Sequence, residues 1–212
     1  QTMISAHWDT RPWADQEEQR QDKNQPIIGA NDGASGVAVL LELAKVLGEN
    51  PPPIGVNLVF FDGNDMGVPG ENETYCQGSR YFAKHLPIPK PDEGINLDMI
   101  GDAQLTLPIE RYSLEYHPKL VRHLWDRAGD MGLDAFDGRV DYAIYDDHVP
   151  LNEIAGIPAI NLIDFKYPNS YANFWHTLDD VPENCSEESL GQVGRLMVDY
   201  IYNRPEMNEG VN

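Results

Sequence analysis

An almost uninterrupted apolar run, IGVNLVFF at residues 54–61, places the strongest constraint on the fold. A run of this length without polar alternation is typical of a central strand that is covered on both faces. Shorter strand-like runs recur along the chain, and helical segments separate them. This alternation predicts an α/β fold, a three-layer αβα sandwich with a mostly parallel, mixed central sheet. The other predicted strands are residues 3–6, 94–99 and 157–163.

The segments between the predicted strands carry helical patterns. Residues 36–47 are apolar on every face and are followed by Gly48, which predicts a largely buried helix that ends near the glycine. Residues 15–25 are rich in Gln, Glu, Asp and Lys, which indicates a solvated loop. The remaining helices are predicted at residues 78–85, 118–131 and 186–203.

Length and charge bound the classes of function. With 212 residues the chain has the length of one domain, and we interpret residues 1–212 as a single domain. It has 15 basic and 35 acidic residues, a net charge of −20, which repels phosphate backbones and argues against a nucleic-acid partner. The same charge attracts metal ions or the amino terminus of a peptide. No apolar run reaches the ~18–20 residues that a membrane span needs.

Polar side chains follow the predicted strands and precede one helix. In a parallel sheet, ligands bind in the crevice beyond the carboxyl ends of the strands. Because these strands end in a carboxylate, an imidazole or both, we expect the side chains to converge there. The residues are His7 and Asp9 after the first strand, Asp32 in a turn before the first helix, Asn64 and Asp65 after the second strand, Asp98 at the end of the third, and His176 in the loop after the fourth.

The chemistry of this set points to a metal. Carboxylates packed into one crevice repel one another unless a cation holds them together. Apart from Asp9, the set contains two histidines and three carboxylates, which is the composition of a zinc site with one or two metals. Thiolates are absent from the set, because Cys76 and Cys185 lie far apart in the sequence, form no CxxC pair and are predicted to be free thiols. We interpret Asp9 as a carboxylate that orients His7 rather than as a ligand. The pattern therefore predicts a catalytic zinc with an open position.

Five short blocks follow one another along most of the chain: HWD at 7–9, GANDGASG at 29–36, FFDGND at 60–65, NLDMIG at 96–101 and WHT at 175–177. Together they resemble the signature blocks of the zinc exopeptidase superfamily, which includes bacterial aminopeptidases and animal-type glutaminyl cyclases. Three further features resemble the glutaminyl cyclases in particular. They are GSR at 78–80, DDHVP at 146–150 with GIP at 156–158, and WHTLDD at 175–180 with EN at 183–184.

The resemblance implies a metal-binding role for five block residues. Asp32, Asp65 and His176 match the three ligands of the catalytic zinc. His7 and Asp98 match the positions that, together with a bridging Asp32, hold a second zinc in the aminopeptidases, whereas the cyclases hold one. We therefore expect one Zn²⁺, with occupancy of a second site optional. Three protein ligands and one water leave room for a substrate carbonyl.

The resemblance also implies a substrate and a reaction. Trp175 matches an aromatic wall of the substrate pocket, and the residues matching Asp98 and Asp146 share a hydrogen-bonded proton network in the cyclases. The implied substrate is a peptide or small protein with an amino-terminal glutamine, which is converted to pyroglutamate. Zinc polarises the γ-amide carbonyl, the neutral α-amine attacks it, and ammonia leaves. A carboxylate must carry the proton from the amine to the leaving nitrogen.

One position departs from the family pattern. The family places a glutamate, the general base, directly before the ligand that matches Asp65, and this chain has Asn64. An amide cannot accept and return a proton at neutral pH. We therefore expect a weak cyclase whose proton transfer depends on Asp98 and Asp146. Two alternatives stay open: a two-zinc aminopeptidase, for which all five ligands are present, and a catalytically silent module that binds zinc or a peptide.

The first residues of the chain, QTMISA, are strand-like and lack the basic region and long apolar core of a signal peptide. We therefore expect that the chain begins inside the fold and that an upstream segment, with any export signal, is missing. Because the family is commonly exported, the resemblance implies a periplasmic or extracellular protein.

Overall fold

The computed structural model describes residues 1–204, in which strands and helices alternate along the chain. The strands are β1 (Thr2–His7), β2 (Val56–Phe61), β3 (Glu93–Asp98), β4 (Leu107–Ile109), β5 (Phe136–Val140), β6 (Ala159–Ile163), β7 (Pro168–Asn169) and β8 (Ala172–Asn173). The helices are α1 (Ala34–Glu49), α2 (Gln77–His85), α3 (Arg111–Tyr116), α4 (Pro118–Asp130), α5 (His148–Glu153) and α6 (Glu187–Asn203).

Four strands form the central sheet, in the order β2-β1-β3-β6, and each neighbouring pair is parallel. Thr2 of β1 lies opposite Val56 of β2 on one side and Glu93 of β3 on the other. All four strands therefore end at the same edge of the sheet. The predicted parallel sheet is confirmed, although within residues 1–204 no antiparallel strand joins it to make it mixed. The short pairs β4-β5 and β7-β8 lie outside it.

Helices cover both faces of the sheet, which confirms the three-layer architecture. Ile4 and Met3, adjacent in β1, point to opposite faces because side chains alternate along a strand. Ile4 packs into a large apolar cluster with residues of α1, α4 and α6, such as Leu40, Leu124 and Leu196. Met3 packs into a smaller cluster on the opposite face with residues of α2 and α5. The buried apolar faces stabilise the sheet and fix its strand ends in space.

The apolar run that predicted a central strand forms β2, which is an edge strand within residues 1–204. Most of its side chains are partly buried, and Phe60 is 40% exposed. Phe61 packs edge-on against Phe82 of α2, with ring centroids 5.6 Å apart. An apolar run indicates that the faces of a strand are covered. It does not indicate how many neighbouring strands pair with that strand, and this pairing determines the strand order. The prediction of a central position was therefore wrong for the described residues.

The four predicted helices are confirmed within one or two residues of their bounds. The start of α6 follows from Ser186, whose hydroxyl accepts hydrogen bonds from the main-chain N–H groups of Glu188 and Ser189. The short helices α3 and α5 were not predicted, because six residues are too few to show a periodic pattern. Among the described residues, no helix combines the length and the apolar character needed to cross a bilayer.

Helix α1 packs closely against the sheet at Gly36, which is buried. A Cβ atom there would lie 2.4 Å from the carbonyl oxygen of Leu97 and 2.7 Å from Cβ of Ala6. We expect Gly36→Ala to lower the free energy of unfolding by about 1–3 kcal/mol, because the helix must move away from the sheet. Gly48→Ala is the matched control in the same helix, since nothing lies within 4 Å of its added Cβ.

The control should instead raise the free energy of unfolding by about 0.5–1 kcal/mol, since alanine favours the helix. Urea denaturation measures both variants, and effects of the same sign would contradict the close packing at Gly36.

Candidate active site

All five predicted metal ligands converge at the carboxyl edge of the sheet. His7 ends β1 and Asp98 ends β3, so neighbouring parallel strands place them side by side. Asp65 lies in the loop after β2, Asp32 in the turn before α1, and His176 in the loop after β8. All five side chains are buried. The topology of the sheet thus brings together residues that lie far apart in the sequence.

Asp32, Asp65 and His176 form the first trio of candidate ligands. His176 Nε2 lies 3.1 Å from Asp65 Oδ1 and 3.3 Å from Asp32 Oδ2. Ligand atoms around one tetrahedral zinc, each about 2.1 Å from the metal, are ~3.4 Å apart. The spacing of the trio therefore suits a single zinc ion.

His7, Asp32 and Asp98 form a second trio, which shares Asp32 with the first. His7 Nε2 lies 3.1 Å from Asp32 Oδ1 and 3.1 Å from Asp98 Oδ1. The two oxygens of Asp32 therefore face different trios, as expected of a bridging carboxylate. Gly33 permits this arrangement, because a Cβ atom there would lie 2.5 Å from ring atom Cε1 of His7.

The pKa values of the candidate ligands show that positive charge is favourable at this site. Burial disfavours the protonated form of His176, yet its contacts with Asp32 and Asp65 raise its pKa to about 9. Burial and the charge of Asp32 raise the pKa of Asp65 to about 6. Burial opposes ionisation of Asp32, but contacts with His176 and His7 lower its pKa. Without a metal, the imidazoles supply the cationic charge that the buried carboxylates need.

Two buried oxygen atoms make the case for a metal ion. Asp32 Oδ2 and Asp65 Oδ2 have no hydrogen-bond partner among residues 1–204. A buried carboxylate oxygen without a donor is costly, and a cation bound by these two carboxylates would reduce that cost. The donor set consists of carboxylates and imidazoles, which are common zinc ligands. The residues present therefore fit a zinc ion in the first trio.

Asp9 links the two trios through its main chain and side chain. Its carbonyl oxygen accepts a 3.0 Å hydrogen bond from His7 Nδ1, and its carboxylate lies 3.5 Å from the same nitrogen. The carboxylate also accepts hydrogen bonds from the main-chain N–H groups of Asn64 and Asp65. It is not a member of either trio. Asp9 thus orients His7, as interpreted from the sequence, and also fixes the loop of Asp65.

Asn64 is held by two carboxylates beside the first trio. Its Nδ2 donates hydrogen bonds to Asp146 Oδ1 at 2.8 Å and to Asp147 Oδ2 at 3.0 Å. Asp147 also accepts a hydrogen bond from the Ser79 hydroxyl. Burial and the charge of Asp146 raise the pKa of Asp147 to about 7. Because the amide nitrogen of Asn64 is occupied in this way, its Oδ1 is the polar atom that stays available in the pocket that Asn64 lines.

Asp146 is surrounded by donors. Besides Asn64, it accepts hydrogen bonds from the side-chain amides of Asn96 and Asn161 and from the main-chain N–H of Asp147. The structure places Asp98 and Asp146 in the same pocket but records no direct hydrogen bond between them in residues 1–204. Burial and the charge of Asp146 nevertheless raise the pKa of Asp98.

A pocket of about 360 Å³ opens onto this edge of the sheet. Its walls include Asp32, Asp65, Asp98, Asn64 and Asp146 together with the aromatic residues Tyr75, Tyr145, Phe165 and Trp175. The Trp175 ring stacks on the His176 ring at 3.9 Å and contacts Phe165 at 5.1 Å between centroids. Trp175 therefore lines the pocket and packs against a candidate ligand, whereas its role as a wall of the substrate site, which the resemblance implies, stays a prediction.

Several residues of the site were not predicted from the sequence. Asn96 and Asn161 lie opposite each other in β3 and β6, and their amides are hydrogen-bonded to each other. Asn96 begins the block at 96–101, to which the sequence assigned no role for this residue, and Asn161 was visible only as a polar residue inside an apolar strand. Arg11 and Asp15 lie near the first trio, although Asp15 falls in the segment predicted to be a solvated loop. Cys76 and Cys185 are free thiols, as predicted.

Comparison with known proteins identifies the family. The sequence model that describes peptidase family M28 matches residues 1–201 of the chain. The chain belongs to peptidase family M28. Aminopeptidase YwaD of Bacillus subtilis is 25% identical to this M28 chain over 94% of the chain, which spans 40% of that protein's length.

Two solved structures of bacterial proteins share the fold and a third of the sequence. A glutaminyl cyclase from Bacteroides thetaiotaomicron superposes with a TM-score of 0.92 at 33% identity, over 96% of this chain and 73% of the other. A Zn-dependent exopeptidase from Parabacteroides distasonis superposes with a TM-score of 0.91 at 35% identity and the same coverage. These similarities confirm the resemblance to the zinc exopeptidases and glutaminyl cyclases, and they support zinc as the metal.

The assignment of the first trio as the zinc site predicts how ligand substitutions change the zinc content. We expect His176→Ala to remove most of the bound zinc, because the variant loses one of three ligands, and atomic absorption after dialysis measures the loss. His85→Ala, an exposed position on α2, is the control and should retain its zinc. If His176→Ala kept stoichiometric zinc while His7→Ala lost it, the second trio would be the primary site.

Proposed function

We propose that this protein is a zinc-dependent glutaminyl-peptide cyclotransferase, which converts the amino-terminal glutamine of peptides to pyroglutamate and releases ammonia. The observation that carries the proposal is Asn64, an amide that stands beside the candidate ligand Asp65 and is fixed by Asp146 and Asp147. Similarity to a bacterial glutaminyl cyclase supports the same conclusion.

Asn64 favours cyclisation over hydrolysis because the two reactions use different nucleophiles. A peptidase must remove a proton from water before water can attack, and an amide cannot take that proton. In cyclisation the nucleophile is the α-amine of the substrate, whose pKa of about 7.7–8.0 leaves a useful neutral fraction at neutral pH. The neutral amine already carries a lone pair. Loss of a base at position 64 is therefore more damaging to a peptidase than to a cyclase.

The pocket residues can position such a substrate. Asn64 Oδ1 would accept a hydrogen bond from the α-amine, and the lone pair of the amine nitrogen would then be free to point toward the γ-carbonyl carbon. Trp175 and Phe165 form an apolar wall against the glutamine side chain. The amine and the carbonyl belong to the same residue, so the reaction is intramolecular. Holding the two groups in the reactive orientation lowers the barrier to ring closure. A zinc ion bound by Asp32, Asp65 and His176 would polarise the γ-amide carbonyl.

The departing ammonia needs a proton that the amine gives up. Asp98 and Asp146 are the carboxylates that line the pocket besides the first trio. Asp146 is fixed by Asn64, Asn96 and Asn161, so its position is set before a substrate arrives. We assign the proton transfer to Asp98 and Asp146, with one receiving the amine proton and the leaving nitrogen being protonated in turn.

A two-zinc aminopeptidase is the second candidate, and one observation favours it. The trio of His7, Asp32 and Asp98 is complete and lies next to the first trio. Similarity to a bacterial aminopeptidase supports this alternative. It requires that a group other than Asn64 activate water.

Two substrates separate the candidate functions. We expect a peptide with amino-terminal glutamine to release ammonia without chain cleavage, because ring closure expels the γ-amide nitrogen. A coupled ammonia assay measures the release, and mass spectrometry measures the matching loss of mass from the peptide. A leucine arylamide should stay intact. Release of free arylamine would show a peptidase, and no turnover of either substrate together with bound zinc would show a silent binding module.

Position 64 itself provides the sharper test. We expect Asn64→Glu to raise the rate of cyclisation by a factor on the order of 10²–10⁴, because it supplies a group that can accept a proton. The adjacent carboxylates of Asp146 and Asp147 should raise the pKa of the new side chain toward neutrality, where a base works best. Asn64→Gln is the matched control, with the same side-chain length and no proton-accepting group. A similar gain in both variants would show that side-chain length, and not a base, limits the reaction.

A further inference from the structure

A buried guanidinium fixes the loop that carries Asp65. Arg11 is 3% exposed, and its Nη1 donates hydrogen bonds to the main-chain carbonyl oxygens of Asp65 and Gly67, both at 2.6 Å. The centroid of the Trp13 ring lies 5.5 Å from the guanidinium carbon. Arginine is suited to such a role because its planar donors can bind several acceptors in fixed directions. The loop of one candidate ligand is thus bound to Arg11.

The same guanidinium binds a carboxylate that faces another candidate ligand. Arg11 donates to Asp15 Oδ2 from Nη2 at 2.5 Å and from Nε at 3.2 Å. The other oxygen, Asp15 Oδ1, is buried and has no hydrogen-bond partner within residues 1–204. It lies 3.7 Å from His176 Nδ1. The main-chain N–H of Gln16 also donates to the carbonyl oxygen of His176 at 3.2 Å.

We propose that Arg11 and Asp15 form a clamp that positions two zinc ligands, Asp65 through its main chain and His176 through its Nδ1. A histidine that binds zinc through Nε2 carries its proton on Nδ1, and an acceptor for that proton fixes both the tautomer and the ring orientation. Asp15 Oδ1 is the available acceptor, and it needs only a small side-chain rotation to reach hydrogen-bond distance. Arg11 and Asp15 are positioning residues, since neither belongs to either trio.

The charge balance supports this role. Asp15 would add a further negative charge beside the carboxylates of the first trio, which repel it. The pairing with two nitrogens of Arg11 neutralises that charge while leaving Oδ1 free for His176. An exposed pair at this i, i+4 spacing would contribute little, but Arg11 is buried and is shared with the Asp65 loop. The clamp concerns metal binding and does not depend on whether the reaction is cyclisation or hydrolysis.

Asp15→Asn tests the clamp with almost no change in size. Arg11 needs an acceptor, so the carbonyl oxygen of the new amide would stay on Arg11 and its NH₂ group would face His176 Nδ1. Two donors would then oppose each other. We expect zinc to bind ~10–100-fold more weakly, as measured by competition with a chromogenic chelator. Glu18→Gln is the matched control, because it removes one negative charge from the same loop at an exposed position.

A spectroscopic readout separates positioning from general destabilisation. In the cobalt-substituted protein, the visible absorption bands report the ligand field, and we expect them to shift in Asp15→Asn but not in Glu18→Gln. Arg11→Lys should also weaken zinc binding, but less than Asp15→Asn does, since one ammonium cannot bind both the loop carbonyls and Asp15. If Asp15→Asn does not fold, Arg11→Lys with the same two measurements tests the clamp.

Three outcomes would overturn the proposal. Equal zinc affinity in Asp15→Asn and the wild type would show that Asp15 does not orient His176. Equal weakening in Asp15→Asn and Glu18→Gln would show an effect of net charge alone. An unchanged zinc affinity and cobalt spectrum in Arg11→Lys would exclude Arg11. Because all readouts concern the metal, they stay informative if the protein proves to have another activity.

Discussion

The carboxylates of Asp32, Asp65 and Asp98 lie buried and close together at one edge of the sheet, and balancing their charge is the constraint on which the rest of the site depends. In water such groups would separate, but the parallel strands and the turn before α1 hold them in place. The fold tolerates this repulsion because the large apolar cluster between the sheet and helices α1, α4 and α6 stabilises the framework independently. The buried carboxylates thus repel one another within a framework that holds them in place, and a bound cation would relieve that repulsion.

The convergence of the candidate ligands could be predicted from the sequence because it follows from sheet geometry. His7 and Asp98 stand at the ends of strands, and parallel strands in one sheet end at a common edge. Periodicity likewise located the longer helices, since an apolar pattern that repeats over several turns is distinctive. The strand order could not be predicted in this way, so the apolar strand β2 was expected at the centre and lies at the edge of the described sheet.

The supporting residues were harder to predict, for a physical reason. Arg11 and Asp15 act through main-chain carbonyls and a histidine nitrogen that approach only when three separate loops are folded. Asn96 and Asn161 acquire their role from strand register, which a single sequence does not state. Composition suggested a solvated loop around Asp15 because polarity was the only visible property of that segment. Candidate metal ligands can be recognised in a sequence from their residue type. The residues that position those ligands can be recognised only from their location in the folded structure.

The two oxygens of Asp32 point to different trios, Oδ1 toward His7 and Oδ2 toward His176. One carboxylate therefore supplies anionic charge to both trios. A cation bound by one oxygen of Asp32 would reduce the negative charge on the other oxygen. Two dications that shared the Asp32 carboxylate would also repel each other in a buried environment. Binding at one position would therefore weaken binding at the other, and by thermodynamic reciprocity the factor would be the same in both directions. Because Asp32 belongs to both trios, a second ion would bind more weakly than the first.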